Sequence, residues 1–350
     1  MTNYTWAGLL LWGVILLYAL GASFDFGASF WNWWDRRHQE KTEEANVAER
    51  FDAPMWDVTN VFLVLIAVAL VGFFPSAARA YGTLGLVPIS LVLILLALRN
   101  VFLVIGHTEP SLRPRAIRIS GITGLLLPAL LTLVLPISQG LGLRGNPDAP
   151  QLEMGLLFRA PVTYGFLAFG LSSELYLSSL MLADYARQMV AERPFRLYRR
   201  RALWLGPLTF VFGAIIWALL PDTQAWIRNG LITSWGWFAA SFVAFLATGF
   251  LLYRPTARSA QIGEWRSPVR WSVITACIQF FLAGIGYGLA HWPYVLAPVL
   301  TAKQAFTSPA IFTAALIVLI VGMAVLFPGF VWFWRLFMAE ENDEGQTKQV

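Results

Sequence analysis

The sequence predicts an all-α, polytopic integral membrane protein with about nine transmembrane helices, its N-terminus outside and its C-terminus cytoplasmic. Three observations predict it. Hydrophobic residues fill 57% of the 350 positions and charged residues only 13%, against about 25% charged in an ordinary soluble domain. The apolar residues gather in runs near the ~20 residues a helix needs to cross a bilayer. The cations between the runs alternate, many in one connection and few in the next, as positive-inside sorting requires.

The expected spans are residues 6–34, 56–74, 84–104, 119–137, 162–183, 203–220, 232–252, 271–291 and 309–334. The first and last exceed a bilayer's thickness, which implies tilt or a protruding end. Gly and Pro inside several runs are tolerated in membrane helices. No Lys or Arg precedes the first run. A secretory signal has a basic leading region and a shorter apolar core, so the first run reads as a retained span.

The first connection carries Arg36, Arg37, Lys41 and Arg50, and the third Arg113, Arg115 and Arg118. The fifth carries Arg187, Arg193, Arg196, Arg199, Arg200 and Arg201, and the seventh Arg254, Arg258, Arg266 and Arg270. With Arg335 and Lys348, that side holds 19 of the 25 Lys and Arg residues, and the other side holds 5. The segment 35–54 mixes both charge signs and is expected to form a short surface helix. Residues 1–338 read as one helical membrane domain. Residues 339–350 form a polar tail whose composition predicts disorder.

Several function classes drop out. Cys277 is the only cysteine, which excludes a disulfide framework or a multi-cysteine metal site within the chain. The net charge of +5 sits in short connections rather than in a basic face interleaved with aromatics, so nucleic acid is not an expected partner. No glycine-rich nucleotide loop, zinc-protease helix or nucleophile elbow is present. The histidines, His38, His107 and His291, are not spaced to ligate one haem from both sides within this chain.

Intramembrane polar residues remain. The topology places Asp25 in the cytoplasmic half of the first span, Asp57 and Asn60 at the cytoplasmic mouth of the second, and Arg99 near the cytoplasmic end of the third. A charge inside a bilayer is retained when it pairs, faces protein or handles protons. An Asp25–Arg99 pair would offset much of each burial cost, with Asp57 as a second acceptor or a water-linked point of proton uptake. Glu174 lies mid-span in the fifth run among Ser172, Ser173, Ser178 and Ser179, a possible interhelical polar seam. These groups are read either as ion pairs and hydrogen bonds pinning helices together, or as part of a proton or quinone path. A carrier or channel lined by Asp25, Asp57, Arg99 and Glu174 is an alternative. Carriers of the common repeat types show paired broken helices in two halves, and none stands out. A structural subunit of another redox complex is a third reading.

The chain resembles subunit II of cytochrome bd-type quinol oxidases. The resemblance is carried by Ser23-Phe24-Asp25-Phe26-Gly27, by Trp56-Asp57, by Phe73-Phe74-Pro75 with Tyr81, and by Leu95-Leu96-Ala97-Leu98-Arg99-Asn100-Val101. Gln279-Phe280, Pro293-Tyr294 with Pro298, and Phe327-Pro328-Gly329-Phe330 through Trp334-Arg335-Leu336-Phe337 extend it toward the C-terminus. Such a resemblance implies a prokaryotic inner-membrane heterodimer. A haem-bearing subunit I would hold haems b and d, or b only, and the quinol site, and a small single-helix subunit could join it. This chain would carry no haem, with lipid or quinone as possible ligands. The resemblance also implies that Asp57 takes up protons, with Asp25 and Arg99 as its supporting pair. The chain diverges from the family pattern. Asn60 stands where the family has Glu, Phe62 where it has a second Trp, and Asn100 where it has Gly. Val104 and Ala22 replace commonly acidic positions.

Overall fold

The computed structural model describes residues 2–37, 42–146, 149–254, 267–322 and 324, with backbone only for residues 52–58, 107, 145–146 and 149. Among the described residues the fold is all-α apart from two small hairpins. The helices in chain order are α1 (Asn3–Arg36), α2 (Glu43–Phe73), α3 (Pro75–Leu84), α4 (Leu86–Thr108), α5 (Arg113–Thr132), α6 (Val134–Ser138), α7 (Met154–Arg159), α8 (Pro161–Gln188), α9 (Glu192–Leu219), α10 (Ala225–Thr233), α11 (Trp235–Tyr253), α12 (Pro268–His291) and α13 (Ala302–Ala305). A further apolar helix, α14, covers Pro309–Gly322. The hairpins pair β1 (Leu143–Asn146) with β2 (Ala149–Leu152), and β3 (Tyr294–Leu296) with β4 (Leu300–Thr301), both antiparallel.

Among the described residues, 7 helices are long and apolar enough to cross a membrane: α1, α4, α5 continued by α6, α8, α9, α11 and α12. The second expected span is the later part of α2. It joins α3 at a bend of 119°, and the pair counts as an eighth candidate. The ninth begins at Pro309, and its second half lies outside the described residues.

Local chemistry explains where the elements depart from the expected runs. The segment 35–54 does not make a separate surface helix. Thr42 caps α2 by accepting a hydrogen bond from the Ala45 amide at 3.2 Å, and Glu43 and Glu44 occupy the first turn. Both features favour a helix start there, and one continuous helix runs from Glu43 to Phe73. At its far end Phe74 leaves helical geometry and Pro75 opens α3, the position where a missing amide costs nothing. The sequence leaves residues 75–83 as the connection between the second and third spans, and the structure folds that connection into helix α3. The fourth span breaks between α5 and α6, where Pro136 has no amide to donate to Thr132.

Helix α1 has 34 residues, about 50 Å at 1.5 Å per residue, and so is longer than a ~30 Å hydrocarbon core. It packs against α2, α5 and α8, while α8 also packs on α9 and α12. Glycines let these helices close. A Cβ on Gly27 would lie 2.2 Å from Ser178 Oγ of α8, and one on Gly124 of α5 would lie 2.7 Å from the Phe26 carbonyl of α1. Small residues at crossings are how membrane helices gain contact where burial from water provides no drive. Large apolar side chains such as Val64, Val68, Leu93 and Ile94 face outward, as a lipid-facing surface requires.

Ion pairs gather at one end of the bundle. Asp35 in the last turn of α1 pairs with Arg201 of α9 and also accepts from the Tyr198 hydroxyl at 3.1 Å. Glu44 pairs with Arg193 at 2.9 Å, Glu49 with Arg113 at 2.5 Å and with Arg36 at 2.7 Å, and Asp184 with Arg270 at 3.4 Å. The first, third, fifth and seventh connections therefore meet at the same end, the cation-rich set of the sequence.

Candidate functional site

The site is built on one face of α1. Tyr18, Ala22, Asp25 and Ser29 recur at helical spacing and are all buried, so they form one stripe. Asp25 is 0% exposed and Arg99, reaching in from α4, is 1% exposed. The guanidinium grips the carboxylate with both terminal nitrogens. Arg99 Nη2 donates to Asp25 Oδ1 at 2.8 Å and Nη1 donates to Oδ2 at 3.2 Å. Nη2 also donates to Ser29 Oγ at 2.7 Å, and the guanidinium carbon lies 4.9 Å from the centroid of the Phe26 ring. A planar fork meeting two carboxylate oxygens is the geometry arginine provides and lysine does not. An apolar shell of Phe26, Val92, Leu96 and Leu127 closes around the stripe.

Glu174 approaches from α8, where α1 and α8 cross at Gly27 and Ser178. It is 0% exposed, and neither carboxyl oxygen has a hydrogen-bond partner among the described residues. It lies within electrostatic reach of both Arg99 and Asp25. Of the expected serine seam, Ser178 makes the cross-helix contact. It accepts from Trp31 Nε1 at 3.1 Å and donates to the Glu174 carbonyl at 2.7 Å. Ser172 bonds within its own helix, to the Phe169 carbonyl. Asn60 faces Asn100, the neighbour of Arg99, with Asn100 Nδ2 donating to Asn60 Oδ1 at 3.5 Å. Thr59 beside it is buried. The Asp57 side chain lies outside the described residues, as do all of His38 and the side chain of His107.

The structure thus joins Asp25 and Arg99 directly, sets Glu174 next to them, and places Asn60 at the edge. Sequence reasoning missed Tyr18 and Ser29. Ser29 sits one turn after Asp25 and Tyr18 two turns before it, so the helical period from a known buried charge was the available signal.

A second polar group lies at the opposite end of the bundle. Gln139 Nε2 donates to the Tyr287 hydroxyl at 2.9 Å, Gln224 Nε2 donates to the Gln139 carbonyl at 3.2 Å, and Tyr81 donates to the Val295 carbonyl at 2.7 Å. His291 is buried there, with Nδ1 2.9 Å from the Tyr294 carbonyl and its ring edge-on to Trp226. Among the described residues, no group of three or more His, Cys, Asp and Glu side chains is placed to hold a metal ion.

A buried ion pair in a membrane bundle suits many roles, so comparison with known proteins decides the class. The sequence family described as Cytochrome bd terminal oxidase subunit II matches residues 2–337. The chain belongs to that family. A putative cytochrome bd menaquinol oxidase subunit II from Bacillus subtilis (strain 168) is 38% identical over 335 residues, 95% of each chain. In the solved structure of bd oxidase from Geobacillus thermodenitrificans, one chain is 30% identical and superposes with a TM-score of 0.76, covering 96% of this chain and 99% of that one.

As a cytochrome bd subunit II, the chain is part of a quinol oxidase, an oxidoreductase complex of the bacterial inner membrane. The complex has several subunits and uses haems, so a partner subunit is expected.

Proposed function

We propose that this chain is the non-haem subunit that scaffolds a haem-bearing subunit I and contributes part of a proton path from the cytoplasmic side. The complex would oxidise quinol, reduce oxygen to water and draw the required protons from the cytoplasm. Menaquinol is the quinol we favour, because the Bacillus subtilis relative is described as a menaquinol oxidase subunit.

The observation that carries this reading is the buried Asp25–Arg99 pair, clamped by Ser29 and bordered by Glu174 in a chain of this family. The cation-rich connections meet at one end of the bundle. That supports nine spans, an outer N-terminus and a cytoplasmic C-terminus. In this orientation Asp57 takes up protons at the cytoplasmic mouth of the second span and Asn60 borders the route. Asp25 and Arg99 hold the route's geometry, and Glu174 lies at its inner end. The haems reside in subunit I, and a small single-helix subunit and membrane lipid complete the assembly.

The test is Asp57→Asn in the purified complex. Oxygen consumption should fall while haem content stays at the native level. Loss of haem together with activity would assign Asp57 to assembly, and unchanged oxygen consumption would remove it from the path. Co-purification of a haem-bearing membrane subunit is required throughout, and a haem-free homo-oligomer would refute the assignment.

A further inference from the structure

Three buried polar atoms flank the Asp25–Arg99 pair without a hydrogen-bond partner among the described residues. They are the Tyr18 hydroxyl on α1 and both carboxyl oxygens of Glu174 on α8. Tyr18 is 6% exposed and Glu174 0%. Each is within electrostatic reach of both Asp25 and Arg99. Buried polar atoms in proteins are nearly always satisfied, and where protein groups do not serve, ordered water does. A buried water needs two or more polar partners; the two Glu174 oxygens supply them on the α8 side of the pair, and the Tyr18 hydroxyl supplies one on the α1 side.

The state of Glu174 follows from the donors around it. The Arg99 fork is turned onto Asp25 and Ser29. Helix α5, packed against both α1 and α8, has no acidic or basic residue beyond Arg118. The next acid along α8, Asp184, is ten residues away and paired with Arg270. An ionised Glu174 would be a buried charge with no hydrogen-bond donor from the described residues, which is strongly disfavoured. A neutral acid is not.

We propose that Tyr18 and Glu174 bind ordered water against the Asp25–Arg99 pair, and that Glu174 there is a neutral carboxylic acid serving as the proton-holding group of this subunit. Release breaks the Glu174 O–H bond toward a bound water as a hydrated proton forms a new O–H bond on the same carboxyl, so the group is ionised only in passing and no electron moves. The role in turnover rests on the proton-path reading above, whereas the hydrated cage and the neutral acid do not.

Infrared difference spectroscopy of the whole purified oxidase tests the proposal. The native complex should show the carbonyl band of a protonated carboxylic acid that shifts in deuterated water. The band should be lost in Glu174→Gln and displaced in Tyr18→Phe, which removes one water ligand. Glu174→Gln should lower oxygen consumption about tenfold or more at native haem content, with partial rescue by Glu174→Asp. Absence of the band from the native complex, or its persistence in Glu174→Gln, would overturn the proposal. Should Glu174→Gln fail to assemble, the native band and its displacement in Tyr18→Phe still decide. An unchanged Asp57→Asn rate would remove the proton path while leaving the infrared result to judge Glu174.

Discussion

Replacing Asp25 with Asn tests the ion pair in the most direct way. The substitution keeps the side chain's shape and one acceptor oxygen but removes the negative charge. Arg99 stays 1% exposed, without the carboxylate that takes its 2.8 and 3.2 Å hydrogen bonds. Breaking one side of a buried pair costs about 3–5 kcal/mol, because the surviving charge stays desolvated. The amide oxygen of Asn and the retained 2.7 Å bond to Ser29 hold part of that, so the low end, about 3 kcal/mol, is expected. Arg99→Met should cost a similar amount for the opposite reason. The double variant Asp25→Leu with Arg99→Met should come within about 1–2 kcal/mol of the native protein, since apolar replacements of a buried pair are often neutral or better. Detergent-solubilised complex titrated with denaturant, with haem retention recorded alongside, measures all three. Single-variant losses below about 1 kcal/mol, the range of exposed pairs, would refute the reasoning. So would a double variant whose loss equals the sum of the singles, since residues in direct contact should couple.

Gly27→Ala should destabilise the complex by about 1–3 kcal/mol through overpacking, since its Cβ would lie 2.2 Å from Ser178 Oγ and 3.2 Å from the Glu174 carbonyl. Adding Ser178→Ala should recover part of the loss in the same denaturant titration, and no recovery would place the strain elsewhere. Arg201→Met should cost at least about 2 kcal/mol, because Asp35 is left at 7% side-chain exposure without its cation. Arg144→Met, whose pair with Glu153 is 74% and 42% exposed, should cost less than about 1 kcal/mol. Equal losses from the two would show that burial does not set their weight.

What the sequence revealed and what it hid follow from the kinds of group involved. Asp25 and Arg99 were legible as a pair because a charge in an apolar run is conspicuous, and alternating connections assign it a depth. The same logic found Glu174 but could not say that its oxygens lack partners, which depends on the rotation of α8 against α1. Tyr18 was hidden because an aromatic in an apolar run looks like lipid-facing or core material. The second polar group, of Gln139, Gln224, Tyr287 and His291, was hidden because neutral polar side chains from three segments far apart in the chain reveal their meeting only in the folded bundle. The 119° bend into α3 left only Pro75 as a signal, and proline occurs inside membrane helices too often for it to decide alone. The continuity of α2 was obscured by its charged first half, which reads as surface although the helix never breaks.

The geometry also separates two duties that a single buried acid cannot combine well. Arg99 does not release a proton under protein conditions. Asp25 has both oxygens committed to it, so a proton placed on Asp25 would displace the hydrogen bonds that hold the site together. A proton in transit needs a neighbour whose oxygens are uncommitted, near enough to feel the pair and shielded from bulk water. Glu174 meets each condition, being fully buried, unpartnered among the described residues, and across the Gly27 crossing from Asp25. Under the proton-holding proposal, a rigid pair beside an uncommitted acid would let the bundle stay fixed while one proton comes and goes. Substitutions at Asp25 should therefore be read first in stability, and substitutions at Glu174 first in rate.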